Sequence, residues 1–131
     1  MATFFSFTKI ESWKSSRQLS KIIFNQFNKT EFYKDFALKD QMNRSSGSIM
    51  DNIAEGFGRG GNKEFILFLG YSNGSCSEFG SQLYRLYDRN YISNSEFNSM
   101  LELTNNIGKM NGSLIDCLNT FSFKGRKYIS R

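Results

Sequence analysis

A chain of 131 residues with 39% apolar and 22% charged residues fits a single globular domain, long enough to bury a core without metals or disulfides. It has no histidine, which removes the commonest general base, the Ser-His-Asp and Cys-His constellations and the commonest transition-metal ligand. Its net charge is +5, proline is absent, and no stretch of about 18 apolar residues exists to span a membrane.

In chain order, helical periodicity first runs from about 9 to 28. Ile10, Trp13, Leu19, Ile23, Phe24 and Phe27 recur at helical spacing, with the small Ser16 and Ser20 on the same stripe. Thr8 and Glu11 have the spacing of a capping box for its start. Residues 28–39 are a connection whose aromatics, Phe32, Tyr33 and Phe36, predict packing against the end of the domain. A second helix is expected over 40–56, with Leu38, Met42, Ser45, Ile49 and Ile53 as its stripe. Ser46, Gly47 and Ser48 beside that stripe let another backbone approach closely. Gly47 in mid-helix costs about 1 kcal/mol relative to Ala, so something must offset it.

The glycines between Gly56 and Gly61 close this helix, because glycine accepts the left-handed conformation of a helix C-terminus. Asn62 is placed to cap a third helix over 62–89, with Glu64 in its first turn. Phe65, Phe68, Leu69, Ser72, Cys76, Phe79, Leu83, Leu86 and Tyr87 make its core face. After a short turn, Ser93 and Glu96 form a second capping box for a fourth helix over 93–122. Its stripe runs from Phe97, Met100 and Leu101 through Thr104 and Ile107 to Leu114, Ile115, Leu118 and Phe121. Four amphipathic helices with short connections predict an all-α fold, an antiparallel up-down four-helix bundle over 1–123, followed by a basic tail at 124–131.

The positive charge is unevenly placed. Residues 1–35 hold six Lys/Arg against three Asp/Glu, 36–92 six against six, 93–122 one against three, and 123–131 four against none. The excess on the first helix and the tail suggests a surface facing polyanions. Cys76 and Cys117 sit alone at core positions and read as reduced packing residues, not metal ligands or nucleophiles. The N-terminal residues lack the pattern of a secretory signal, so the protein is expected in the cytoplasm.

Little in the chain suggests catalysis. The glycine-rich turn lacks the G-x-x-x-x-G-K-[ST] pattern and follows a helix, so it reads as a helix–helix connection. Arg59 and Lys63 flank it beside a helix N-terminus, a place that suits anions. Asp51, Glu55 and Glu78 are the carboxylates to weigh for hydrolysis, but a bundle of this size has little room for a substrate cleft. Arg44 is expected to pair with acidic groups at a helix–helix or subunit contact. No enzyme, metal or cofactor is expected.

The segment from Gln41 through Asn43, Arg44, Ser45, Ser46, Ser48 and Ile49 to Asn52-Ile53-Ala54-Glu55-Gly56-Phe57-Gly58-Arg59 resembles a family signature ending N-I-A-E-G-x-G-R. Lys63-Glu64-Phe65, Phe68-Leu69, Gly74-Ser75 with Glu78, and Gln82-Leu83 resemble the next family segments. Trp13 and Tyr91-Ile92 match the helix-one aromatic and the turn before helix four. The family is that of the four-helix bundles found in intervening sequences of bacterial 23S ribosomal RNA genes, and the likeness covers about 10–118. It includes the accessory protein of diversity-generating retroelements. The resemblance therefore implies a ring-shaped homopentamer that binds RNA and a reverse transcriptase through basic surfaces. Here Asn43 stands where the family carries a first arginine, Ser45 and Ser46 replace alanines, and the usual prolines are missing.

The expected function is a non-catalytic homo-oligomer associating with structured RNA or a ribonucleoprotein. The alternative is a protein-docking module for a partner such as a reverse transcriptase. The residues expected to meet nucleic acid are Lys14, Arg17, Lys21, Arg59, Lys63, Lys124, Arg126 and Lys127. Arg44, Asn52, Glu55 and Glu78 are expected in a subunit interface or a structural polar network.

Overall fold

Of the four α-helices among the described residues, two start where a side chain accepts from an unpaired backbone N–H, and two start without such a cap. In the computed structural model, which describes residues 6–125 (without the side chains of Thr30 and 121–125), Ser6 Oγ accepts from the Thr8 N–H at 3.2 Å and caps a 3-10 turn, Phe7–Lys9. Helix α1, Glu11–Gln26, starts after it, and Ile10 at its cap position makes no side-chain hydrogen bond. Thr8 thus does not cap α1: the 3-10 turn takes it and folds Phe7 edge-on against Trp13, 5.1 Å between rings.

Helix α2, Phe36–Gly58, begins one turn before the expected Asp40. Its cap is Asp35, whose Oδ1 accepts from the Leu38 N–H at 3.3 Å. Oδ2 of the same carboxylate accepts from Arg89 at 2.6 Å and Tyr91 at 2.9 Å, tying the start of α2 to the turn before α4. Helix α3, Asn62–Asp88, has Gly61 at its cap position. Asn62 is buried, with Nδ2 3.5 Å from the Leu118 carbonyl, and is not the cap. Helix α4, Asn94–Gly125, opens on the expected box. Ser93 N–H donates to Glu96 Oε1 at 2.8 Å, and Glu96 N–H to Ser93 Oγ at 3.0 Å.

Among the described residues there is no strand. Helices α1 and α3 each pack against both α2 and α4, so they lie on a diagonal of the bundle. Ile10, Ile53, Phe65, Leu69 and Leu118 form an apolar cluster at the end holding the α2–α3 turn. A larger cluster, from Leu19 and Ile23 through Met42, Phe79 and Leu83 to Phe97, fills the rest. Where the two meet, Ser72 Oγ donates to the Ile49 carbonyl at 2.8 Å, and Asn111 Nδ2 donates to Ser72 Oγ and Asn73 Oδ1, both at 3.0 Å. Asn111 is fully buried, and its Oδ1 has no partner.

Gly56 marks the closest approach of α2 to α3: a Cβ there would lie 2.6 Å from Phe68 Cβ. Gly60, at φ +88°, supplies the left-handed residue of the turn. Four aromatics depart from expectation. Phe24 and Tyr87, assigned to core stripes, are exposed, because each lies at the edge of its helix's inward face. In the 28–39 connection Phe32 is buried and stacked on Tyr91, whereas Tyr33 and Phe36 face outward. Phe121 falls on side chains outside the described set.

Candidate functional site

The signature segment of α2 does not build the core alone. Its outward residues line an open groove between α2 and α3 of about 1250 Å³. Gln41, Arg44, Gly47, Asp51 and Glu55 come from α2, and Glu78, Ser81 and Arg85 from α3. The floor is tied across the helices. Ser45 Oγ donates to Gln82 Oε1 at 2.6 Å, and Ser75 Oγ lies 2.9 Å from Ser48 Oγ. Asn52 Nδ2 donates back to the Ser48 carbonyl and hydroxyl, both at 2.9 Å. Gly47 stands at the centre of α2 with nothing within 4 Å of where a Cβ would be. No contact inside the protomer offsets its helix cost.

The four residues expected in a polar network all line this groove but are not joined to one another. Arg44 pairs with Asp40, one turn back on its own helix, with side chains 76% and 58% exposed. The expected pairing across helices within the protomer does not occur, because the exposed Asp40 lies one helical turn away on the same face. Glu55 pairs with Arg59 at 2.7 Å, an interaction that raises the guanidinium pKa above its ordinary value. Glu78 and Asp51 make no ion pair among the described residues. With three carboxylates against two guanidiniums along the lining, the groove is mixed in sign and offers no basic track.

The basic residues of α1 do come together. Lys14, Arg17 and Lys21 surround a recess of about 400 Å³ with Thr8, Gln18 and Trp13. The Arg17 guanidinium carbon lies 5.9 Å from the centre of the half-buried Trp13 ring. Lys14 has one exposed partner, Glu11, at 3.3 Å, and Lys21 has no ion-pair partner among the described residues. Periodicity placed Trp13 on the apolar stripe. The 3-10 turn before α1 sets Phe7 against one side of the indole, which stays half-buried beside the cations. Arg59 at the end of α2 and Lys63 in the first turn of α3 lie at this same end of the bundle. Arg59 is committed to Glu55 and to the Phe68 ring, 4.9 Å away, while Lys63 is exposed. Lys124, Arg126 and Lys127 fall on side chains or residues outside the described set.

Apart from Arg59, the titratable groups with resolved shifts line neither feature. Burial works against ionisation of Asp35, but hydrogen bonds from Tyr91, Arg89 and the Leu38 N–H outweigh it and hold the carboxyl below its usual range. Glu96 is lowered chiefly by the Ser93 N–H, then by Gln26. Both are structural ties. The Cys76 thiol is pushed up to about 12 by burial, and Cys76 and Cys117 are unbridged. Among the described residues no group of three or more His, Cys, Asp or Glu is placed to hold a metal ion, and no helix is long and apolar enough to cross a membrane.

A family model described as 23S rRNA-intervening sequence protein matches residues 8–113. The chain is also similar to the crystal structure of a protein of unknown function from the S23 ribosomal protein family of Bacteroides thetaiotaomicron. Identity is 25%, the TM-score is 0.74, and the match covers 79% of this chain and 97% of that one. No curated protein matches the chain.

Proposed function

This chain belongs to the 23S rRNA-intervening sequence protein family, and on that premise we propose that it is a non-catalytic, self-associating helical bundle that holds structured RNA against α1. The observation that carries this reading is the convergence of Lys14, Arg17 and Lys21 around one recess beside Trp13. Cations three and four residues apart share a helix face, and seven residues of helix set them along about 10 Å. Such a row neutralises neighbouring phosphates and positions a backbone without reading its sequence. Lys124, Arg126 and Lys127 add to the same positive charge.

Self-association uses the α2–α3 groove. Its mixed charge suits a protein surface better than a polyanion, and the open Gly47 gives a partner backbone room to approach. The assembly proposed is the five-membered ring that the family resemblance implies, acting in the cytoplasm. The same groove supports the second reading, in which a foreign protein such as a reverse transcriptase docks there.

The test is a salt titration of binding to a structured RNA and to an unrelated one of equal length. Both should bind with similar affinity, and log K should fall with log salt by about 0.7 to 0.9 per phosphate neutralised. Changing Lys14, Arg17 and Lys21 together to Gln should flatten the slope by about two units. These side chains lie off the core, so the bundle stays folded. Absence of binding to either RNA at about 50 mM salt refutes the RNA reading. A thousand-fold preference between the two would refute electrostatic positioning as its mechanism.

A further inference from the structure

The end of the bundle away from the α2–α3 turn carries aromatic surface that the fold does not use. Phe24 is 63% exposed, Tyr33 46% and Phe36 74%, although Phe32 beside them is buried. The exposed rings are linked through cations. Phe24 meets Phe27 edge-on at 5.9 Å. Lys39 Nζ sits 6.0 Å from the Phe27 ring and 5.8 Å from the Phe36 ring, and it donates to the Tyr33 carbonyl at 3.3 Å. Lys34 Nζ lies 5.6 Å over the Tyr33 ring.

This arrangement constrains the partner. A contact built for an apolar protein face or an acyl chain would have to bury the ammonium seated between two rings, at a large desolvation cost. Three carboxylates near these rings are already engaged, Asp35 by Arg89 and Tyr91, Glu31 by Lys34 at 3.6 Å, and Asp40 by Arg44. What remains is a row of π faces interleaved with positive charge. That combination accepts stacked bases on the rings and phosphates on the ammonium groups. Base faces inside a duplex are covered by their neighbours, so the ligand must be unpaired.

We infer that Phe24, Tyr33 and Phe36, with Lys34 and Lys39, form a binding surface for an unpaired RNA strand, separate from the α1 recess. The inference rests on the reading of this chain as an RNA-associating protein only in sharing its ligand class. The two surfaces lie at different ends of the bundle and divide the work. The α1 recess takes the phosphates of a folded element, and the aromatic end takes an adjoining single-stranded segment, such as a loop or a 3′ extension.

The experiment measures fluorescence anisotropy of the full chain with two labelled probes, a short oligouridine and a blunt RNA hairpin closed by a non-nucleotide linker, so that every base is paired. Wild type should bind both at low salt. Phe24→Gln, Tyr33→Gln and Phe36→Gln combined should weaken oligouridine binding at least about ten-fold, and hairpin binding less than about two-fold. Phe36→Trp, which enlarges the stacking face, should retain or tighten oligouridine binding. If the triple variant proves unstable, Phe36→Gln alone, the most exposed of the three, carries the same comparison. Unchanged oligouridine affinity in the ring variants overturns the inference. So does failure of wild type to bind oligouridine, including the case in which it captures only vesicles or another protein. A protein that binds oligouridine through the rings but ignores the hairpin sustains this surface while refuting the α1 recess.

Discussion

The two glycines of α2 should respond in opposite directions to the same substitution. At Gly56 an added methyl would stand 2.6 Å from Phe68 Cβ and 3.3 Å from a Phe65 ring carbon. A Cβ cannot swing aside, so the α2 and α3 backbones must separate, a strain in the upper part of the overpacking range, about 2–3 kcal/mol. The alanine recovers at most about 1 kcal/mol of helix propensity, so Gly56→Ala should lose about 1–2 kcal/mol net. At Gly47 nothing lies within 4 Å, and the propensity gain of about 1 kcal/mol stands unopposed. Denaturant unfolding followed by circular dichroism, at a concentration where the protein is monomeric, should therefore separate the variants by about 2–3 kcal/mol. In thermal melts that is a gap of about 8–12 °C. Sedimentation velocity of the same variants in native buffer, at concentrations where wild type associates, supplies the functional half. Gly47→Ala should weaken self-association while stabilising the protomer, because the methyl occupies the groove a partner backbone approaches. A Gly56→Ala protein as stable as wild type would refute the close helix approach. A Gly47→Ala protein that assembles like wild type would remove the groove as the contact.

Two further perturbations test the frame that positions these surfaces. Asp35 and Glu96 are both held below their ordinary pKa values in the fold. Their contribution is therefore complete above the unfolded values near 4 and is lost as pH falls through the folded values. The melting temperature should show no dependence on these groups between about pH 5 and 8, then drop below about pH 4. Asp35→Asn with Glu96→Gln should flatten that acid limb, and an unaltered limb would count against both ties. Cys76, buried and with its thiol pushed up to about 12, should resist alkylation at pH 8 until the chain unfolds. The partly exposed Cys117 should react first, and equal native rates would contradict the packing of Cys76.

Much of the bundle was legible along the chain. The second-helix stripe of Leu38, Met42, Ser45, Ile49 and Ile53 is wholly buried, and the Ser93–Glu96 box opens α4 as its spacing predicts. Both are local patterns: one repeats within a helical turn, the other closes within three residues. Starts that depend on distant groups were misread. The second helix was expected from 40, but Asp35 caps it a turn earlier because Arg89 and Tyr91, more than fifty residues on, fix its carboxylate. Asn62 had the right position for a cap, but the Leu118 carbonyl of α4 draws its side chain inward. Asn111 gave no signal, since only the facing Ser72 and Asn73 make a polar side chain tolerable there.

The candidate surfaces divide along the same line. The row of Lys14, Arg17 and Lys21 follows from helical spacing alone, and so does their common face. That the groove residues Arg44, Asn52, Glu55 and Glu78 each bond within reach of their own helix, or stand unpaired, was decided by distances between α2 and α3 that no spacing records. The exposure of Phe24 and Phe36 is of the same kind. Phe24 was counted with the core by its period and Phe36 by its place in an aromatic connection, and only the position of the neighbouring helices determines whether anything covers them. Periodicity fixes angle around one helix axis. Burial and pairing depend on the separation and rotation of four axes, and those are set by the packing of the whole bundle.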